Sequence, residues 1–184
     1  MSGQIVFQGK IKNELDILVR YPQSGDAQQM CEYINTLSSE KTFILFQGEQ
    51  TSLEDEQKYL DSQLKKFEDK KTTMLLVFNE NKLIGISGIE LKDKAEKHIG
   101  GFGISIAKDF RGKGIGTFLT DVVIKEAEKN LQGLKIIILG VFGDNKIAQG
   151  IYKKFGFLEY GNLPEGILHA DVPVDHIYMY KKVV

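Results

Sequence analysis

Two basic residues and three glycines are close together in the segment Arg111-Gly112-Lys113-Gly114-Ile115-Gly116-Thr117. The β-rich run 104–107 ends just before this segment, and an amphipathic helical pattern begins at its end. The first turn of a helix has free N–H groups, and glycines let the main chain approach a phosphate without a Cβ. The segment therefore predicts a site for a pyrophosphate at a helix N-terminus, with Arg111 and Lys113 adding positive charge.

The glycine spacing distinguishes between three kinds of phosphate-binding loop. A nucleotide P-loop requires Gly-Lys followed by Ser or Thr, which occurs nowhere in the chain. A Rossmann loop has the spacing G-x-G-x-x-G and is followed by an acidic residue after the next strand, and neither feature is found. The spacing instead matches Arg-x-x-Gly-x-Gly, with Arg111, Gly114 and Gly116 at the fixed positions.

A second group of residues lies downstream, at Asn145, Ala148, Tyr152, Gly156 and Phe157. Seven helical residues make almost two turns, so Asn145 and Tyr152 are expected on one helix face, ~10 Å apart along the axis. An amide and a phenol placed in this way could line one side of a narrow ligand groove. The alternative for Tyr152 is an amphipathic core tyrosine.

The two groups together resemble the GNAT superfamily of N-acetyltransferases, and the resemblance extends from about Leu15 to Met179. It implies that a bulged strand offers main-chain groups to the pantetheine arm of acetyl-CoA, while the loop holds its pyrophosphate. The residues that it assigns to this cofactor are Ile104, Ser105, Ile106, Arg111, Gly112, Lys113, Gly114, Ile115, Gly116, Thr117, Asn145 and Tyr152.

The resemblance also implies that Tyr152 protonates the leaving thiolate, which makes it the predicted catalytic residue. Some relatives have a glutamate base five residues before the Asn, but Gly140 is at that position here. Glu90, His98 and a chain of water molecules remain as candidates for the base.

The function implied is N-acetylation of a primary amine of a small molecule or peptide, by direct attack in a ternary complex with acetyl-CoA. The alternative is a non-catalytic acetyl-CoA-binding sensor. The loop spacing disfavours a dinucleotide binder. The chain has 24 Lys and Arg against 25 Asp and Glu, and this balance disfavours a nucleic-acid partner. A homodimer is possible because the family often forms them.

The hydrophobic patterns predict an α/β fold over residues 1–184 as a single domain, with a core of about 15–183. The sheet is expected to be mixed and mostly antiparallel, with helices on both faces and a parallel, splayed pair formed by 99–107 and 135–139. Predicted strands are 15–20, 73–78, 83–91, 99–107, 135–139 and 175–183. Predicted helices are 24–37, 51–70, 114–130 and 145–155.

Composition narrows the remaining possibilities. The sequence contains one cysteine, no apolar run of membrane-spanning length and no apolar leader, and we expect a cytoplasmic protein without a membrane contact.

His169 and His176 lie near Asp171 and Asp175, but their spacing fits no usual ligand pattern, so we expect no metal. These residues could border the acceptor pocket. The apolar segment 41–49 is either a cover for the core or a wall of that pocket.

Overall fold

A single eight-stranded sheet carries four α-helices in residues 2–183, which are the residues that this computed structural model describes. The sheet order is β1-β2-β3-β4-β5-β6-β8-β7, and β5–β6 is its parallel pair. The elements in chain order are β1 (Ile5–Lys10), β2 (Asp16–Arg20), α1 (Ala27–Ser39), α2 (Leu53–Glu68), β3 (Thr72–Asn79), β4 (Lys82–Leu91), β5 (Ile99–Ile106), α3 (Ile115–Asn130), β6 (Ile136–Phe142), α4 (Lys146–Lys154), β7 (Leu158–His169) and β8 (Val172–Lys182).

Each face of the sheet is covered by two helices, and the alternation of side chains along the strands separates two cores. Helices α3 and α4 pack on the face that carries Leu75, Ile89 and Ile137. Helices α1 and α2 pack on the other face, over Leu76 and Phe78. The second pair covers β3 and β4 and leaves the same face of β5, β6 and β8 more open.

The parallel pair is short. β5 and β6 are paired from Ile99–Ile136 to Gly101–Ile138, and the remainder of each strand continues without pairing to the other. The two strands therefore separate in the direction of the loop that enters α3. We call this opening the splay, and its closed end lies just beyond Gly101 and Ile138.

The predicted mixed sheet, the crossover through α3 and the parallel pair are confirmed. Two strands were missed. β1 has only a weak alternation and a register shift between Ile5 and Phe7. β7 is an edge strand with mostly exposed residues, and its pairing with β8 shifts twice. The predicted first helix started too early, because 24–26 form a 3₁₀ turn.

The predicted bulge in the cofactor strand is not found. β4 and β5 pair without a register shift from Gly85–Ile106 to Leu91–Gly100. Glycines at 100, 101 and 103 allow β5 to bend without an inserted residue. Separation from β6 is thus sufficient to free main-chain groups of β5.

None of the helices within residues 2–183 combines the length and the apolar character needed to cross a membrane.

Candidate active site

The entrance to α3 presents a row of main-chain amides without protein acceptors. The Arg111 amide donates to the Lys108 carbonyl at 3.2 Å, and the Phe118 amide donates to the Gly114 carbonyl at 3.1 Å. Among the described residues, no acceptor is found for the amides from 112 to 117 between these two bonds. Amides arranged in this way at the positive end of a helix form a binding site for an anion.

Glycine occurs at the three positions of this loop for different structural reasons. Gly112 and Gly114 have φ angles of +75° and +87°, so the turn itself needs glycine at both positions. Gly116 lies inside the first turn of α3, and a Cβ built there would be 3.7 Å from Ile151 Cδ1, an ordinary contact. The fold therefore tolerates a side chain at 116, and glycine there instead keeps the amide row accessible.

The two cations of the loop are engaged differently. Arg111 donates from Nε to the Ile106 carbonyl at 2.9 Å and pairs with Glu40 at 2.7 Å, which ties the loop to β5 and to the end of α1. Lys113 lies over the Phe110 ring, with Nζ 5.1 Å from the centroid. Of the two, Arg111 thus positions the loop, while the Lys113 ammonium adds charge at the rim.

The hydrogen-bond alternation shows which groups of β5 face the splay. The Ala107 amide donates to the Ile84 carbonyl at 2.9 Å, and in an antiparallel ladder every second residue makes such bonds. The N–H and C=O groups of Ile104 and the N–H of Ile106 therefore point away from β4 and into the splay, whereas the Ile106 carbonyl accepts from Arg111. The side chain of Ser105 projects to the α1 face, where its Oγ lies 3.0 Å from Tyr33 Oη.

The same alternation applies to β6, the other side of the splay. The Gly143 amide donates to the Asp175 carbonyl of β8 at 2.7 Å, so Gly140 directs its own N–H and C=O toward β5. Two facing sets of free main-chain groups, on β5 and β6, suit an extended ligand that carries amides of its own.

Helix α4 borders the splay on the α3 side and is fixed at both ends. The Asn145 side chain accepts from the Ala148 amide at 3.1 Å and is the N-cap. Gly156 has φ +83° at the C-terminus, and the Phe157 amide donates to the Tyr152 carbonyl at 3.0 Å, which completes a left-handed glycine cap. Asn145 and Tyr152 are thus held in place by the backbone of a short, well-capped helix.

Tyr152 is buried, and its ring contacts Phe102 of β5 edge to face, with the centroids 5.7 Å apart. No hydrogen bond joins its hydroxyl to another described residue, and the oxygen is not sealed from solvent. Burial raises the pKa of Tyr152 to about 12, so the phenol is fully protonated at neutral pH. The ring of Tyr152 thus packs in the core, while its hydroxyl oxygen retains some exposure to solvent.

On the opposite face, the closed end of the splay is bordered by two glycines. Gly103 of β5 and Gly140 of β6 lie two residues beyond the last β5–β6 pair. A Cβ on Gly103 would meet no atom within 4 Å, whereas a Cβ on Gly140 would overlap Nε2 of His176. The imidazole of His176 therefore occupies the side-chain space of Gly140, next to an open space above Gly103.

The two protein candidates for the base differ in position. Glu90 is opposite Gly101, close to the splay, but its carboxylate is bound by Lys66 at 2.6 Å and by Gln63 at 3.0 Å. His98 precedes β5, so it is ~20 Å along the strand from Ile104. The geometry thus leaves Glu90 occupied and places His98 away from the splay.

The apolar segment between α1 and α2 covers the core and also borders the open face. Ile44 packs with the core of α1 and α2, while Leu45 is 79% exposed. Three contacts join the segment to the β7–β8 turn: Phe43 with His169, Gln47 with Ala170, and Lys41 with Asp171. His169 is also paired with Asp144 at 2.6 Å, so it belongs to this contact and not to the splay.

The comparisons with known proteins agree with this geometry. The model of the acetyltransferase (GNAT) family matches residues 34–157. The chain is 43% identical over 74 residues to the uncharacterized N-acetyltransferase MJ1207 of Methanocaldococcus jannaschii, an alignment covering 40% of this chain and 30% of that protein. The matched segment is therefore less than a third of that relative's length.

Two solved structures share the fold over most of the chain. An acetyltransferase of the GNAT family from Streptococcus pneumoniae is 26% identical, with a TM-score of 0.82 and coverage of 91% of this chain and 99% of that one. The yncA protein of Salmonella typhimurium, solved with its cofactor acetyl-CoA, is 14% identical, with a TM-score of 0.79 and coverage of 91% and 94%.

Because the family model matches more than half of the residues, the chain belongs to the acetyltransferase (GNAT) family. This is a family of N-acetyltransferases whose members use acetyl-CoA. The structure brings the loop, the splay and α4 together at one end of the parallel pair. It adds His176, which the sequence suggested only as a possible border of the acceptor pocket.

Proposed function

We propose that the protein transfers the acetyl group of acetyl-CoA to a primary amine of a small molecule or peptide, by direct attack within a ternary complex. The observation that carries this proposal is the continuity between the row of free amides at 112–117 and the splay. The row of amides suits the diphosphate of acetyl-CoA. The splay suits its extended pantetheine arm, which carries amide groups. From residue 102 to 106 the edge of β5 that separates from β6 is ~13 Å long, and the N–H and C=O of Ile104 and the N–H of Ile106 are available along it.

The proposed reaction joins the amine nitrogen to the thioester carbonyl carbon and then breaks the bond from that carbon to sulfur. The tetrahedral intermediate carries an oxyanion, and a main-chain N–H of β5 in the splay can donate to it. The thiolate leaves on the side of Tyr152, and the phenol donates its proton to the sulfur. Coenzyme A and the acetylated amine are the products.

The pKa of about 12 for Tyr152 bears on that last step. In water, a thiol has a pKa of ~8.5, so proton transfer from this phenol to a free thiolate would be uphill. Both groups would lie in the same partly desolvated space, and desolvation raises the pKa of a thiol as it does that of a phenol. Because desolvation raises the pKa of both groups, proton transfer from Tyr152 to the thiolate is less uphill than in water. The phenol also stays protonated until the thiolate forms.

The acceptor amine must lose a proton, and the cost depends on its type. A lysine-like amine of pKa ~10.4 costs ~4–5 kcal/mol to deprotonate at neutral pH, whereas an α-amine of pKa ~8 costs ~1 kcal/mol. Both types of amine therefore belong in the acceptor panel, and the rates that they support will distinguish a peptide α-amine from a side-chain amine.

The test combines thermal unfolding with an assay for free thiol. At a hundredfold excess over its Kd, acetyl-CoA should add ~2.7 kcal/mol of stability, or about 5–10 °C in Tm, while NAD and ATP should add little. With acetyl-CoA and an amine panel, we expect thiol release to depend on the amine. Binding without thiol release for any amine would favour a sensor, and a shift with NAD alone would overturn acetyl transfer altogether.

A further inference from the structure

We propose that His176 is the general base of this site, and that its Nε2 atom accepts the proton of the attacking amine above Gly103. The inference rests on the proposed acetyl transfer and adds the residue that sequence motifs leave unassigned. It is carried by the positions of two glycines and one imidazole at the closed end of the splay.

The first step is the fit between His176 and Gly140. A side chain at 140 would overlap Nε2 of His176, so glycine in the middle of β6 makes room for the imidazole. The ring is held there by Tyr178, whose ring centroid is 4.4 Å away at an interplanar angle of 37°. The pairing of Phe142 with His176 in the β6–β8 ladder fixes the height of the ring relative to the splay.

The second step is the access for an amine. Gly103 and Gly140 occupy corresponding places on β5 and β6, both two residues past the last pair. The space above Gly140 is filled by the imidazole, while the space above Gly103 is free of atoms for 4 Å around a built Cβ. An amine that reaches the splay over Gly103 would therefore come beside His176.

The third step is the position of His176 relative to Tyr152, the proposed acid. Phe102 and Gly103 are successive residues of β5, so their side-chain positions point to opposite faces of the sheet. Tyr152 contacts the Phe102 ring on the α4 face, while His176 lies on the other face. A proton can thus be removed on the face where the amine arrives and supplied on the face where the thiolate leaves.

The surroundings of His176 keep it in the neutral form that a base requires. The flanking strands present Gly140 and Phe142 from β6 and Leu163 from β7, none of which carries a charge. Tyr178 on the same strand is a titratable side chain in contact with the His176 ring, and His169 contacts Phe142, the ladder partner of His176. Burial lowers the pKa of His176 below its ordinary value of 6.5.

The neighbouring acidic residue is turned elsewhere. The Asp175 carboxylate accepts from the Asn162 amide group at 2.8 Å and from the Glu165 main-chain N–H at 3.3 Å. Because successive strand residues point to opposite faces, this carboxylate does not face the His176 ring. Within residues 2–183, no carboxylate is hydrogen-bonded to the His176 ring to stabilise an imidazolium.

The proton balance of the step is closed. Attack forms the N–C bond and leaves the nitrogen with one proton too many, and this proton passes to His176 Nε2. Collapse breaks the C–S bond, and the thiolate takes the phenolic proton of Tyr152. Exchange with solvent then returns His176 and Tyr152 to their initial states, so the net reaction consumes only the amine and acetyl-CoA.

The main experiment compares His176→Asn with His169→Asn, the same change at the histidine of the β7–β8 turn. For His176→Asn we expect a fall in kcat of ~10²-fold or more, the scale of general base catalysis, with the amine KM and the acetyl-CoA thermal shift close to those of the wild type. His169→Asn should keep kcat within about threefold, because the His169 ring contacts Asp144 and Phe43 at the β7–β8 turn and not the volume beside Gly140.

The pH profile separates a base from a merely structural residue. In the wild type, kcat/KM should fall as the pH drops through the His176 pKa, below 6.5, because an imidazolium cannot accept a proton. If the fall in kcat/KM comes from protonation of the amine, its midpoint moves to another pH when an amine of different pKa is used. If it comes from protonation of His176, the midpoint stays at the same pH; we call this second fall the enzyme limb. Absence of an enzyme limb below pH 6.5 in the wild type would overturn the proposal without any variant.

A double variant that moves the base from β8 to β6 provides the final check. The Gly140→Glu change in a His176→Gly background places a carboxylate from β6 near the vacated volume, and we expect it to recover at least tenfold of the activity lost in His176→Gly alone. Normal kcat in a folded His176→Asn protein would overturn the role of His176 while acetyl transfer stands. Loss of amine-dependent thiol release in the wild type would instead overturn the proposed function.

Discussion

The proposed cofactor side and the proposed acceptor side of the splay are built on different principles. The cofactor side uses main-chain groups of β5 and of 111–117, which are close together in the sequence, and α4 adds the Tyr152 side chain. The acceptor side, formed by Gly103, Gly140 and His176, uses an open space and one side chain that three separate strands bring together. A main-chain site depends on spacing and on the absence of side chains, whereas the acceptor side depends on long-range strand register.

This difference has a consequence for how the two sides respond to substitution. On the cofactor side, an added methyl group should harm binding while leaving the fold intact, as Gly116 shows by its ordinary 3.7 Å neighbour. On the acceptor side, the same kind of addition should change the use of the amine and leave acetyl-CoA binding unchanged.

The largest effect is expected for Tyr152→Phe. Because the phenol is the proposed acid, its removal should lower kcat by ~10²–10⁴-fold. The acetyl-CoA thermal shift should remain, because the Tyr152 hydroxyl has no hydrogen-bond partner in the described part of the chain and the ring contact with Phe102 is kept. Steady-state kinetics and thermal unfolding measure both. A folded variant with near-normal kcat would remove Tyr152 from the mechanism.

Gly116→Ala should separate binding from folding on the cofactor side. Alanine favours a helix over glycine by up to ~1 kcal/mol, so the variant should be at least as stable as the wild type. Its methyl group beside the amide row should nevertheless weaken acetyl-CoA binding about tenfold, equivalent to ~1.4 kcal/mol. Titration of the thermal shift measures both quantities.

The control for that variant is Gly25→Ala, the same change in the turn before α1. A Cβ on Gly25 meets no atom within 4 Å, and its φ is not in the left-handed region. It precedes the 13-residue α1, whose other end contacts the loop through Glu40, so it is ~20 Å from that contact. Unchanged acetyl-CoA affinity in Gly116→Ala would show that the amide row does not approach the cofactor closely.

The cofactor side could be predicted from the sequence because its determinants are local. The glycine spacing, the helix N-terminus and the Asn145-to-Phe157 helix with its glycine cap are each defined within a few turns of chain. The bulge was predicted wrongly, because the resemblance supplied it and the glycines of β5 make it unnecessary. β6 was predicted over 135–139, whereas the strand extends from Ile136 to Phe142.

The acceptor side could not be predicted in the same way. His176 lies in a predicted strand, where it alternates with the buried Ile177, so its face could be anticipated. That it would fill the space of Gly140 depends on the β6–β8 register, which no local pattern contains. A glycine within a strand is the one signal available in the sequence, because it marks a place where another group approaches closely.

Gly103→Val tests the acceptor side by closing the space above β5. Valine suits a strand, and a Cβ at this position meets no atom, so the fold should be preserved or stabilised. We expect the amine KM to rise about fivefold, equivalent to ~1 kcal/mol, with an unchanged acetyl-CoA thermal shift. A loss of acetyl-CoA binding with normal use of the amine would reverse the assignment of the two faces.

The smallest effect is expected for Glu90→Gln, which bears on the choice of base. The Glu90 carboxylate is held by Lys66 at 2.6 Å, and both side chains are more than a third exposed, so loss of this pair should cost less than ~1 kcal/mol. Glutamine can still bond to Gln63, so the wall of the acceptor side is retained. We expect kcat within about threefold of the wild type and an unchanged limb below pH 6.5. A ~10²-fold loss of kcat with disappearance of that limb would identify Glu90 as the proton acceptor, and His176 would then have only a packing role against Gly140.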